Sequence, residues 1–203
     1  MSDGSSFEDI LHQEFRWPRQ GDRPFTQSAN WRDNAFIEKH THARMVMMTT
    51  GYKKGADLML ETAKADRRER DALVYPIIFN YRQFIELSLK YLIATYGRAV
   101  GVQAIWKSHD LAELWRAFTT MLEAYGHDDP EAVEDVVAVI IAEFSKVDPQ
   151  SFSYRYPVDT KGRPIPIAHQ ELDLVTLADV MEAVEGYFDG CDGYLSHLHD
   201  AGS

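Results

Sequence analysis

Residues 76–97 read PIIFNYRQFIELSLKYLIATYG, and this stretch decides the fold. Pro76 suits the first turn of a helix and Gly97 suits its end. Between them Ile77, Ile78, Tyr81, Phe84, Ile85, Leu89 and Leu92 fall on one broad face at about 100° per residue. Arg82, Glu86 and Lys90 stack one turn apart on another face. A helix this strongly patterned needs partners for its apolar side, so the rest of the chain should supply further helices.

Working outward, the preceding segment repeats Met45, Met48, Tyr52, Met59 and Ala63 at helical spacing, which predicts a first helix from the low thirties or about Ala43 to about Ala65. Gly51 and Gly55 lie one turn apart and would admit a close neighbour; Lys53, Lys54 and Asp57 exclude a membrane setting for that pair. Downstream, Asp110 and Glu113 have the spacing of a capping box. They open a helix that buries Leu111, Leu114, Trp115, Phe118 and Leu122 and stops at Gly126. A fourth helix is expected from Asp129-Pro130, with Glu131, Glu134 and Asp135 at the positive end of its dipole. It should bury Val133, Val136, Val137, Ile140 and Phe144 and end before Asp148-Pro149. The last is expected near Thr176, with Thr176 and Asp179 at capping spacing, burying Leu177, Val180, Met181, Val184, Phe188, Leu195 and Leu198.

Two regions break the pattern. Residues 1–30 mix Gly, Pro, Ser and charge around Phe15, Trp17 and Phe25, which predicts an N-terminal arm laid on the body through those rings. Residues 150–168 alternate Phe152, Tyr154 and Tyr156 with Ser153 and Arg155. A turn at Asp159-Thr160-Lys161-Gly162 and a short return segment follow, so a small β-hairpin-like insertion is expected. The fold class is therefore all-α: about five helices plus that insertion, with 1–30 an arm and 31–203 the helical domain.

Composition narrows the function classes. The chain has 203 residues, one cysteine and a formal charge of −11. A single Cys191 excludes an internal disulfide and any cysteine-rich zinc site, and it suits a reducing compartment such as the cytoplasm. No apolar run approaches the roughly 18 residues that span a bilayer, and the N-terminus lacks the pattern of a secretory signal. The acidic balance argues against broad, non-specific nucleic-acid binding, which needs many Lys–phosphate contacts. A local basic pocket is still compatible with it. The basic groups Arg16, Arg19 and Arg23, and Lys64, Arg67, Arg68 and Arg70, are read as solvated surface because acids or glutamine interrupt them. Phosphate-binding glycine loops, HExxH and nucleophile elbows are missing. His40 and His42 would point about 200° apart on a helix, so no metal site is expected there. No cofactor is implied either.

The informative constellation is R-Q-x-x-E-x-x-x-K at Arg82, Gln83, Glu86 and Lys90, followed by His109-Asp110-Leu111 opening the next helix. Further on stands Tyr154-Arg155-Tyr156-Pro157-Val158-Asp159. Together these resemble the HEPN superfamily over about residues 70–200, the last segment being similar to the "FRYP-D" stretch of one bacterial branch. The resemblance implies a HEPN-like bundle that forms a homodimer. It implies an effector acting on RNA or nucleotides, of the bacterial defence or toxin–antitoxin kind, with an antitoxin or nucleotidyltransferase as partner. The alternative is a non-catalytic HEPN-like module that binds a partner protein or nucleotide.

For the first reading the candidate catalytic residues are His109, Glu86 and Arg82, with Arg155, Lys90 and Asp110 as binding residues. A histidine beside a carboxylate and guanidinium groups suits proton transfer next to a phosphate. The activity would be that of a metal-independent endoribonuclease. HEPN ribonucleases use R-x4-6-H at a helix start, and the matching stretch here is Arg163-Pro164-Ile165-Pro166-Ile167-Ala168-His169. Its two prolines forbid a regular helix, so it is read as a chance match. Each candidate also has a plain structural reading. Arg82, Glu86 and Lys90 would be a charge ladder worth a few tenths of a kcal/mol per pair, His109 and Asp110 a helix-start device, and Arg155 a strand arginine reaching water.

Overall fold

A computed structural model describes residues 16–149 and 151–201. The chain divides into two compact units at Ile37/Glu38, seven residues beyond the boundary expected from composition. In the first unit the described part begins at Arg16. Its one regular element is the 3-10 turn Trp31–Asp33, where the Asn30 side chain accepts the Arg32 N–H. Trp17 and Phe25 are exposed; Phe15 lies outside the described residues.

The second unit is an all-α bundle of five helices: α1 (Thr41–Ala65), α2 (Arg67–Tyr96), α3 (Leu111–Ala124), α4 (Val133–Val147) and α5 (Leu174–Ala201). α2 is the central element. Its Ile77, Tyr81, Ile85, Leu89 and Leu92 are fully or almost fully buried, and it packs on α1, α3 and α5. α1 contributes Ala56, Leu60 and Ala63 to the core, the two alanines being small side chains that let the two helices lie close. Gly55 sharpens that approach, because a β-carbon there would lie 3.1 Å from Asn80 Nδ2, whereas Gly51 faces open space. No described helix is long and apolar enough to cross a membrane.

α2 starts nine residues before Pro76. Asp66 breaks away from α1 in extended conformation and its carboxylate accepts the Arg68 N–H, so the helix is nucleated there. Pro76 then sits inside it and removes one backbone donor, a loss confined to the exposed side at Ala72. Gly97 is the C-cap, as its sequence position suggests, and a 3-10 turn Gly97–Val100 follows. At the next junction Asp110 caps α3, its Oδ1 accepting the N–H groups of Ala112 and Glu113 at 2.9 and 3.4 Å. Gly126, at φ +77°, takes the chain out of α3 in a left-handed conformation.

The last two helices depart from expectation at their starts. Asp129 does cap α4, accepting from Val133 and Glu134, but residues 130–132 only lead in to it. α4 therefore buries Val137, Ile141 and Phe144 and leaves Val133 and Val136 exposed. The cap of α5 is Asp173, which accepts from Val175 N, Thr176 N and Thr176 Oγ1. Thr176 is thus a donor to the cap inside the first turn.

The strand reading of 152–156 fails for a local reason. Asp148 Oδ1 accepts the N–H groups of Phe152 and Ser153 at 2.7 and 3.0 Å. Ser151 turns left-handed at φ +62°, and both Arg155 and Tyr156 donate to the Phe152 carbonyl. Backbone groups used this way cannot join a ladder. The hairpin-like part shrinks to residues 157–165, closed by one antiparallel bridge, Val158 to Pro164, around the turn Asp159–Gly162.

Candidate functional site

The ladder on α2 does not face water. Arg82 is 0% exposed and Glu86 2%, and Lys90 is buried with them. Each guanidinium nitrogen of Arg82 is committed to a different neighbour. Nη1 donates to Glu86 Oε2 at 2.9 Å, Nε to the Asp148 carbonyl at 2.9 Å, and Nη2 to the His109 carbonyl at 2.6 Å. One buried side chain on α2 therefore fixes both the entrance to α3 and the exit from α4. Asp148 Oδ2 stands 3.7 Å from Arg82 Nε and is itself sealed without a hydrogen bond.

Glu86 is the acceptor at the centre. Its Oε1 takes Lys90 Nζ at 2.8 Å and lies 2.9 Å from His109 Nδ1; Lys90 also donates to the Trp106 carbonyl at 3.3 Å. Burial alone would raise the Glu86 carboxyl, but the hydrogen bond and charge of Lys90, then the bonds from Arg82 and His109, outweigh it and hold the pKa below the ordinary carboxylate value. An ionised carboxylate only accepts. The neutral imidazole of His109 therefore carries its proton on Nδ1, an assignment made from the network, and keeps its lone pair on Nε2.

His109 is the member of this cluster that reaches solvent, with its side chain 60% exposed. It borders a cleft of about 440 Å³ shared with Lys107, Ser108, Ser145 and Phe152. Ser108 helps hold the corner: its hydroxyl accepts the Asp110 N–H and donates to Glu113. Phe152 and Pro149 also border a second cleft, of about 810 Å³, that runs on past Tyr156 and Ile165.

The structure thus brings Arg82, Glu86, Lys90 and His109 into one hydrogen-bonded group. Asp110 is beside them as the α3 cap. Arg155 is differently placed. Its guanidinium lies 5.0, 5.4 and 5.5 Å from the ring centres of Phe152, Phe79 and Tyr156, and Nε donates to the Ser151 carbonyl. Its two Nη groups have no hydrogen-bond partner among the described residues, and it does not line the His109 cleft. Arg163 and His169 are not on a helix. Arg163 closes the surface turn by pairing with Asp159, and His169 borders a separate pocket. His40 precedes α1, and the His42 ring lies tilted against Tyr91 with ring centres 5.2 Å apart. Among the described residues no group of three metal-ligating side chains exists. Cys191 is half-buried and burial pushes its thiol up to about 11, which makes it a poor nucleophile.

Sequence reasoning passed over Asp148, which it took only as a helix terminator, and Lys107, the ammonium that does border the cleft. The Asp148-Pro149 pair carried a usable signal. An aspartate just after a helix, with serines at 151 and 153, is a common local capping arrangement. Comparison with protein-family models, curated proteins and solved structures returned no match.

Proposed function

We propose that this chain is a HEPN-like effector that acts on RNA, of the bacterial defence or toxin–antitoxin kind, with His109 as its proton-transfer group. The observation that carries the reading is the His109 Nδ1 to Glu86 Oε1 contact of 2.9 Å, joined to the exposure of the same ring. A buried carboxylate that orients an exposed imidazole is the arrangement general-base chemistry needs. Nε2 would take the proton of a ribose 2′-hydroxyl as its oxygen attacks phosphorus. The 5′-oxygen of the next nucleotide leaves, a 2′,3′-cyclic phosphate forms, and the imidazolium returns the proton to the leaving oxygen.

Glu86 would orient the ring and stabilise the imidazolium. Arg82, with no exposed atom, would act as a positioning residue, sealed away from any phosphate. Lys107, at the cleft, would take the cationic role, with Arg155 holding Phe152 in place as the opposite wall. Lys90 would keep Glu86 ionised. A homodimer, and an antitoxin or nucleotidyltransferase partner, belong to the same proposal.

A second reading is favoured by one specific observation. Arg82 is completely sealed and every nitrogen is used, which is what a purely structural staple would look like. A non-catalytic module binding a partner protein or nucleotide would keep the staple and leave His109 idle. Incubating the purified chain with total RNA in the presence of a chelator separates the two. Cleavage leaving 2′,3′-cyclic ends, reduced about 10²–10⁴-fold by His109→Ala with an unchanged melting temperature, is expected. No cleavage by the wild type would overturn the effector reading. Cleavage that survives His109→Ala and dies with His169→Ala would move the chemistry to the Arg163–His169 stretch.

A further inference from the structure

The segment 151–156 divides its rings. Phe152 and Tyr156 border the clefts beside His109, while Tyr154 points the other way, into a pocket between α2, α4 and the approach to α5. That pocket has about 170 Å³ of open space, comparable to the roughly 150 Å³ in which an engineered cavity accepts benzene. Its floor is apolar, formed by Ile78, Phe144 and Leu177, and its rim carries Glu143 and Glu171.

Two features set this pocket apart from an unfilled packing defect. The Tyr154 residue is 9% exposed, yet its hydroxyl has no hydrogen-bond partner among the described residues and is not one of the sealed, unsatisfied atoms. A tyrosine buried to that degree normally finds a partner for its oxygen; here the residue borders the pocket with that oxygen unpaired. Neither Glu143 nor Glu171 has an ion-pair partner among the described residues, and no lysine or arginine borders the pocket. The other titratable groups there are His169 and Tyr75. An apolar, ring-sized space under two unpaired carboxylates and a free phenol hydroxyl is complementary to one kind of small molecule.

We infer that this pocket binds a small arylalkyl amine, its ring on Ile78, Phe144 and Leu177 and its ammonium held by Glu143, Glu171 and the Tyr154 hydroxyl. The ammonium supplies three donors, enough for two carboxylates and one phenol oxygen. The inference is independent of the RNA-directed reading, since the pocket shares no residue with the His109 cleft.

The test uses the full chain and three matched probes, 2-phenylethylamine, 2-phenylethanol and 3-phenylpropionate, with binding followed by ligand-observed NMR and calorimetry. The amine is expected to bind saturably and at least roughly tenfold more tightly than the alcohol, the difference expected of a hydrogen bond to a charged group; the carboxylate should not bind. Tyr154→Phe, which removes one oxygen, should weaken the amine several-fold. Glu143→Gln with Glu171→Gln should erase the preference over the alcohol. Leu172→Trp, at an exposed rim position, should block the amine and the alcohol alike. Equal binding of amine and alcohol would overturn the ligand class. Binding that survives Leu172→Trp would overturn the location, and no binding by any probe would overturn the site.

Discussion

Two charge ladders with the same (i, i+4) spacing lie on neighbouring helices, and they do different work. On α1, Lys53 is buried and pairs with Asp57 at 2.9 Å and with Glu185 of α5 at 2.9 Å, but those carboxylates are 43% and 41% exposed. On α2, Arg82 and Glu86 are both sealed; Arg82 donates to the main-chain carbonyls of His109 and Asp148, and Lys90 to that of Trp106. The first ladder pins helix to helix while its acids stay hydrated. The second has no water to fall back on, so it exists only as a complete set. Spacing alone does not distinguish them; what surrounds each ladder does.

The largest expected effect is on stability. Arg82→Ala leaves Glu86 short of one partner and strands the Asp148 and His109 carbonyls, so a cost of about 3–5 kcal/mol is expected in urea unfolding, as for a broken buried pair. Lys53→Ala removes a cation whose partners can rehydrate, and about 1 kcal/mol or less is expected. Equal losses would break the comparison between the ladders.

Acid should act on the α2 ladder next. Glu86 has a folded pKa below its unfolded value, so its contribution is fully present above the ordinary glutamate range near pH 4.3 and is lost as pH falls through the folded pKa. The acid limb of a stability-versus-pH curve should therefore be shallower in Glu86→Gln, at the expense of lower stability at neutral pH. An acid limb unchanged by that substitution would show that Glu86 is not held ionised.

A smaller effect sharpens the picture at the entrance to α3. Asp110→Ala removes two cap hydrogen bonds and should cost about 1 kcal/mol, read in the same urea experiment. His109→Ala should cost almost nothing, because Arg82 holds the His109 carbonyl and the substitution keeps it. A large loss there would mean that the imidazole, like Arg82, is part of the staple.

How far the sequence could be read follows the same division. The helices were legible from their apolar periodicity, and Asp110 and Gly97 from their cap chemistry, because these are local effects. The grouping of Arg82, Glu86 and His109 was legible through the register of α2 and the position of His109 at a helix start. Its burial was not, since nothing local says that the Asp148 corner folds back over the ladder. The strand misreading of 152–156 has a different origin: the alternation of rings was read, while the local signal of Asp148, which captures the Phe152 and Ser153 N–H groups, was passed over. Arg155 drew notice as a cation between tyrosines, and it turned out to be held against three rings with only its Nη groups free. The early start of α2 shows a strong cap at Asp66 overriding the usual meaning of a proline.

The protonation of the His109 ring tests the central claim most directly, because an Nδ1–H tautomer aimed at Glu86 is what leaves Nε2 free to accept a proton. Nitrogen-15 NMR of the histidine side chains in alkaline buffer, with His109→Ala to assign the signal, reads it. The expected result is a neutral ring protonated on Nδ1, shifting toward the Nε2–H form in Glu86→Gln. A wild-type ring protonated on Nε2 would contradict the claim, since the nitrogen facing the cleft would then hold a proton and could not act as a base.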